Sequence, residues 1–247
     1  MPKRETAPRP VKTSVLVAHR LARRAAELQP GDSLPAERAL LRELGVGRST
    51  LREALRMLEL QGVLTIKAGP GGGPIVAQPD HGPLADTLSV ALQATDSTVG
   101  ELIKARSFLE AALARLAATA ADEEDLSLLR ASVQDLRGFL GDEERFLEEN
   151  LRFHAACAAA AHNHILALFH ASLEQISDGH VMGVTYGPRD RKTIVRAHER
   201  ILEGIAARDP DRAASAMGAH MDAFQAHVAL RYPGLLERPI RWNLAPR

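Results

Sequence analysis

The sequence predicts a mainly α fold in two parts: an N-terminal winged helix-turn-helix domain and a C-terminal antiparallel bundle of six or seven helices. Three observations carry this expectation. Aromatic residues make up only 4% of the 247 residues, while alanine and leucine recur throughout, a balance that favours helix over sheet. Three short amphipathic segments near the N-terminus run into a glycine-rich stretch flanked by β-prone residues. Beyond residue 84 almost every segment carries helical periodicity, and several open on a capping residue.

In chain order, residues 1–10 (MPKRETAPRP) read as a disordered arm lacking the apolar stretch of a signal peptide. Residues 11–77 make the first domain. In VKTSVLVAHRLARRAAELQPG, Val15, Leu16, Ala18, Leu21, Ala22 and Ala25 give a helix its apolar stripe, and Pro30-Gly31 closes it. In DSLPAERALLRELGVG, Pro35 suits the first helical position and Gly45 follows the last turn. A third helix, RSTLREALRMLELQG, places Leu51, Leu55 and Leu58 on one side, with Gly62 as a stop. Val63–Ile66 and Ile75–Ala77 are β-prone runs around a loop of four glycines and two prolines, the pattern of a hairpin wing.

Residues 78–83, within AQPDHGP, form a linker. The helical domain spans 84–235. Thr98 and Glu101 have capping-box spacing before ELIKARSFLEAALARLAATAA. Helices over 122–139 and 143–161 begin in acidic clusters, as the helix dipole favours. Another covers about 164–181, Pro188 opens the next, and Asp209-Pro210 supplies N-cap and first residue of the last, which Tyr232-Pro233 ends. Residues 236–247 are a tail holding the only tryptophan.

Composition narrows the function classes. Hydrophobic residues at 45% and charged residues at 25% describe a soluble globular protein. No apolar run approaches the roughly 18–20 residues that span a bilayer, so no membrane partner is expected. Cys157, the single cysteine, excludes an intramolecular disulfide and fits a reducing, cytoplasmic compartment. The formal net charge of zero hides an asymmetry: residues 1–76 hold 13 Lys and Arg against 7 Asp and Glu, so that segment is basic and the remainder acidic. The basic part is the polyanion binder.

The third helix carries the DNA-reading pattern. Arg48, Arg52 and Arg56 lie four apart and share the face opposite the leucines. Ser49 and Thr50 fall in the first turn, where hydroxyls and free backbone N–H groups meet phosphate oxygens. Arginine's planar fork takes guanine O6 and N7 together in the major groove. Lys67 and Gly69 stand at the base of the wing, where a small residue allows close approach to the DNA backbone. Three arginines at this spacing also suit an ordinary solvated face; the preceding helix, the turn and the glycine-rich hairpin turn the balance. The GPGGGP loop lacks a Gly-Lys-Ser/Thr ending and opens no helix, which argues against a nucleotide cradle.

The segment LPAERALLRELGVGRSTLREALRMLELQGVLTIKAG resembles the N-terminal domain of the GntR superfamily of bacterial regulators, with PAER, GRSTLREAL and GVLTIKAG in the family's order. That resemblance implies operator contacts by Arg38, Arg48, Ser49, Thr50, Arg52 and Gly69. The proline-glycine wing loop departs from the family's shorter, more basic one.

A second constellation is built of histidines. Asn150 and His154 lie four apart on one helix, about 6 Å along the axis. His198 and His220 fall on two later helices, and imidazoles on neighbouring helices of a bundle can converge on one ion. Ten histidines in a helical chain also give such spacings by chance. Here the C-terminal region resembles the FCD ligand-binding domain of the FadR subfamily, through ELIKARSFLEAALARLAA, NLRFH, AHERILEGIAARDPDRA and AMGAH. The resemblance implies a divalent metal (Zn, Ni, Fe or Mn) held by Asn150, His154, His198 and His220, with Asn150 standing where aspartate is usual. It also implies that Arg106 helps hold an effector carboxylate; an ion pair with Glu110, four residues on, is the alternative.

Together these features predict a non-enzymatic, homodimeric regulator, a repressor by expectation, that binds palindromic operator DNA under control of a small carboxylate effector. Two other readings use the same histidines: a metal-dependent enzyme, with Glu199 as the adjacent carboxylate, or a pure metal sensor.

Overall fold

A computed structural model describes residues 11–69, 72–177 and 182–241. The expected N-terminal arm, the tip of the wing, the end of the helix expected to reach residue 181, and the last residues of the tail with Trp242 lie outside the described residues. The chain divides into two compact units, Met1–Leu84 and Ala85–Arg247.

The first unit holds three helices and a hairpin: α1 (Thr13–Ala25), α2 (Glu37–Leu44), α3 (Arg48–Leu60), β1 (Leu64–Lys67) and β2 (Gly73–Val76). Val17, Ala18, Leu21 and Ala25 of α1, Leu40 of α2, and Leu51, Ala54, Leu55 and Leu58 of α3 form one buried cluster with Leu34 and Leu64. Each fully buried leucine contributes about 1.5–3 kcal/mol relative to exposure. The turn between α2 and α3 depends on Gly45, whose left-handed backbone (φ 64°) ends α2 and lets its N–H reach the Leu41 carbonyl.

Several boundaries differ from expectation. α1 stops at Ala25, short of Pro30-Gly31, because tight turns through Leu28 and Asp32 take over the backbone hydrogen bonds. Pro35 precedes the N-cap, Ala36, so α2 opens on Glu37. The strands sit slightly off the expected runs and pair antiparallel, Leu64 with Val76 and Lys67 with Gly73. A bridge from Ser33 to Ile75 adds a third short segment to the wing, invisible in the sequence because Asp32–Leu34 shows no alternation.

The rest of the chain is helical: α4 (Gly82–Ala94), which starts within the expected linker and runs across the boundary at Leu84, then α5 (Val99–Ala120), α6 (Glu123–Gly138), α7 (Glu143–Ala160), α8 (His164–Ser177), α9 (Pro188–Ala206) and α10 (Pro210–Arg231) of the second unit. The expected capping box forms at α5: the Thr98 hydroxyl accepts from the Glu101 N–H at 3.3 Å, and the Glu101 carboxylate accepts from the Thr98 N–H at 2.8 Å. Asp122, Asp142 and Asp209 likewise cap α6, α7 and α10. α5 is the central rod, packed by α7, α8, α9 and α10. Its buried Leu113, Ala114, Ala117 and Ala118 are mostly small, which brings the neighbouring helices close. Close approach is absolute at Gly204 of α9, where a Cβ would stand 2.7 Å from the backbone of Ala213.

Residues 235–241 do not behave as a tail. Leu235 and Ile240 are buried, and the N–H groups of Val99 and Gly100 donate to the carbonyls of Arg238 and Leu236. This segment thereby supplies partners for the otherwise orphaned first-turn N–H groups of α5. No helix among the described residues is long and apolar enough to cross a membrane.

Candidate functional site

In the first unit, the leucine pattern that buries one face of α3 turns Arg48, Arg52 and Arg56 outward, and all three are exposed. Ser49 is exposed and Thr50 half-buried in the first turn. The N-cap is Gly47, with no side-chain capping bond, so the first N–H groups of α3 stay open to an anion. Arg38 projects from the first turn of α2. The Arg52 guanidinium lies 3.9 Å from Glu37, both side chains being largely exposed. Lys67, exposed, ends β1, and Gly69 follows with φ 94°. All seven residues singled out for DNA contact belong to this unit.

In the second unit, α7, α9 and α10 bring His154, His198 and His220 together. The Nε2 atom of His220 lies 3.2 Å from that of His154 and 3.3 Å from that of His198. All three rings are buried. Three nitrogens bound at about 2.0–2.1 Å to one tetrahedral ion would stand about 3.3 Å apart, and the two spacings to His220 match that value. Asn150, one turn before His154, has a buried Oδ1 without a hydrogen-bond partner. It lines the same cavity of about 150 Å3 as His154, His220, Arg106, Thr193 and Phe224.

Packing explains why these rings are held. Phe153 is fully buried and stacks on His198, ring centroids 4.0 Å apart and planes 8° from parallel. Burial, with His220 and His154 alongside, keeps His198 well below the ordinary histidine range. Burial, then His154, pushes His220 down to about 3. Both are neutral at pH 7 and available as ligands. Cys157, by contrast, lies in the bundle core, its thiol pushed up by burial.

The sequence left Arg106 with two readings, and the structure shows the ion pair in an extended form. Arg106 Nε donates to Glu110 at 2.6 Å and Nη2 donates to Glu174 at 3.0 Å, while the side chain also borders the cavity. Glu110 is the residue the sequence reading undervalued. Its other oxygen accepts from His154 Nδ1, and His170 Nε2 lies 3.5 Å away. Burial would raise the Glu110 carboxyl, but His154 and Arg106 outweigh it and hold it well below the usual carboxylate range. The only local signal was the four-residue spacing to Arg106; nothing in the sequence couples Glu110 to a histidine 44 residues on. The Oε1 of Glu199 accepts from Arg137 at 2.7 and 2.9 Å, an ion pair that engages the carboxylate invoked by the enzyme reading.

Comparison with known proteins agrees with this architecture. Residues 17–72 match the family described as bacterial regulatory proteins, gntR family, and residues 101–223 match the FCD domain. The chain is 30% identical over 200 residues to the HTH-type transcriptional regulator LutR of Bacillus subtilis, covering 79% of this chain and 90% of that protein. It is 31% identical over 198 residues to the Exu regulon transcriptional regulator of Escherichia coli K12, covering 78% and 74%. It is 28% identical over 211 residues to the HTH-type transcriptional repressor NanR of Cronobacter sakazakii, covering 81% and 78%. Among solved structures, a GntR protein of Streptococcus agalactiae superposes with a TM-score of 0.67 at 26% identity, covering 86% of this chain and 99% of that one. Its relatives are regulators of transcription rather than enzymes, and the chain belongs to the GntR family of DNA-binding transcriptional regulators, with an FCD domain as its helical half.

Proposed function

We propose that this regulator is a cytoplasmic homodimer that represses transcription from a palindromic operator until a small organic acid binds its helical domain beside a divalent metal. One observation carries the sensory half of the reading: the buried His220 Nε2 lies 3.2 Å from the His154 Nε2 and 3.3 Å from the His198 Nε2, and His154 and His220 line a cavity together with Asn150, whose buried oxygen is unpaired. Because His154 donates through Nδ1 to Glu110, its Nε2 presents a lone pair. A single His220 nitrogen cannot be donor to one neighbour and acceptor from the other, so the trio is poorly satisfied by itself. A cation at its centre satisfies all three.

Asn150, His154, His198 and His220 would hold the ion, and Zn, Ni, Fe and Mn all suit nitrogen and oxygen donors. When bound it supplies a positive centre that accepts a carboxylate oxygen. The cavity of about 150 Å3 suits an acid of few heavy atoms; a void of similar size accommodates benzene. Arg106 borders the cavity but already serves Glu110 and Glu174, so its role is to steady the wall and to add its positive edge to the anion's field.

On the DNA side, Arg48 and Arg52 reach base edges, while Arg38, Ser49, Thr50, Lys67 and Gly69 meet the backbone. One winged helix reads few base pairs, which favours two copies on a two-fold operator. Effector control follows if the acid binds one dimer geometry better than the other. The test is a gel shift on operator DNA selected from a random library, with chelator, with each metal, and with metal plus small carboxylates. A band that an acid releases only when metal is present supports the proposal. Release by metal alone would make the protein a metal sensor, and a band indifferent to every addition would refute effector control.

A further inference from the structure

The proposed ligand set leaves a charge problem. Three neutral imidazoles and the neutral amide of Asn150 would leave a buried divalent ion with its full charge, a costly arrangement in a low-dielectric interior. The position next to His154 on its own helix supplies no carboxylate. The structure brings one from elsewhere: Glu110 of α5, 1% exposed, which binds His154 through its Nδ1. Its other oxygen is bonded to Arg106, and Arg106 is shared with Glu174. With His170, which lies 3.5 Å from Glu110 and 4.0 Å from Glu174, counted as neutral, two carboxylates around one guanidinium leave this buried group one negative charge in excess.

Resting on the metal reading above, we propose that Glu110 is the anionic positioning residue of the centre, supplying through His154 the negative charge that Asn150 omits. Two consequences follow from the geometry. The carboxylate holds His154 as the Nδ1–H tautomer, which aims the Nε2 lone pair at His220 and His198. Hydrogen bonding to an anion also makes the imidazole a stronger electron donor, so part of the charge reaches the ion through the ring. Glu110 is held for this task by Arg106 and His154, with the His170 Nε2 3.5 Å away. A carboxylate kept only as Arg106's partner would need no contact with a histidine on another helix.

The experiment is a zinc-competition titration of the full-length protein against a chromophoric chelator, with folding of each variant checked by circular dichroism. Glu110→Gln should weaken zinc about 10–100-fold, the usual effect of removing such a partner. Asn150→Asp should tighten zinc clearly more in the Glu110→Gln background than in the wild type, because the added carboxylate then replaces a missing charge; a purely structural role for Glu110 predicts the same gain in both. Glu174→Gln, which strips Arg106 of its other partner without touching His154, should weaken zinc far less than Glu110→Gln. Equal losses for Glu110→Gln and Glu174→Gln, or wild-type affinity in Glu110→Gln, would overturn the inference while leaving the metal site standing. Wild-type protein that binds no zinc would overturn both. Should Glu110→Gln not fold, long-range proton–nitrogen NMR of zinc-loaded wild type decides: His154 protonated at Nδ1 and metallated at Nε2 is expected, and the reverse assignment refutes the inference.

Discussion

Replacing Arg52 with alanine separates DNA contact from folding. The Arg52 side chain is 77% exposed, and its ionic neighbour Glu37 lies 3.9 Å away and is itself 42% exposed. A pair so placed contributes between nothing and about 1 kcal/mol. The substitution should therefore leave stability within about 0.5 kcal/mol of wild type, as surface changes do. On DNA, a bidentate arginine–guanine contact discriminates by about 1–3 kcal/mol. At 1.4 kcal/mol per tenfold, each half-site loses about 5–150-fold in affinity, and a palindrome bound by two copies loses it twice. The assay is fluorescence anisotropy on the selected operator and on a scrambled duplex, beside thermal melting of the free protein. Loss on the operator with the scrambled duplex nearly unchanged is expected. Operator affinity within twofold of wild type would refute the placement of α3 in the groove.

Other outcomes follow from the same geometry. Lys67→Ala should weaken operator and scrambled DNA alike and lower the slope of log affinity against log salt by about 1; an unchanged slope would remove Lys67 from the interface. Zinc at a hundredfold above its dissociation constant should stabilise the wild type by about 2.7 kcal/mol. In His220→Ala, which removes the nitrogen shared by both close contacts, that stabilisation should vanish in calorimetry. Phe153→Ala opens a void beneath His198 and should cost about 3–5 kcal/mol in urea unfolding; a loss under 1 kcal/mol would contradict the stacking assigned to it. The metal-free protein should lose stability as pH falls below about 6.5. Unfolded His198 and His220 take up protons there, while folded His220 resists until about 3 and folded His198 until well below its ordinary value. Each contributes a slope of up to about 1.4 kcal/mol per pH unit. Below about 4.5 the loss of Glu110's pairing adds to it. A flat stability profile between pH 6.5 and 5 would show that those histidines are not held neutral.

Much of this was readable from residue order. Helix periodicity in LREALRMLEL placed leucines inside and arginines outside, because one face of a helix can be judged from 3.6-residue spacing alone. Capping signals at Thr98 and Asp209 located helix starts within a residue, since each cap binds an N–H only three positions away. Boundaries set by tertiary pairing were less legible, as at Ser33, whose partner Ile75 is distant in the chain.

The sequence by itself determined the two-part helical organisation, the arginine face of α3 and the identity of the histidines to watch, since all of these depend on local spacing or on a family motif. Only the tertiary structure decided that the His220 Nε2 lies within 3.3 Å of the Nε2 atoms of His154 and His198 on two other helices, that Glu110 stands behind His154, and that residues 235–241 close the start of α5. Such contacts join residues tens of positions apart, and their geometry depends on how small side chains such as Ala114, Ala117 and Gly204 let helices approach. No local pattern encodes a distance of closest approach between two rods; that follows from packing of the whole bundle.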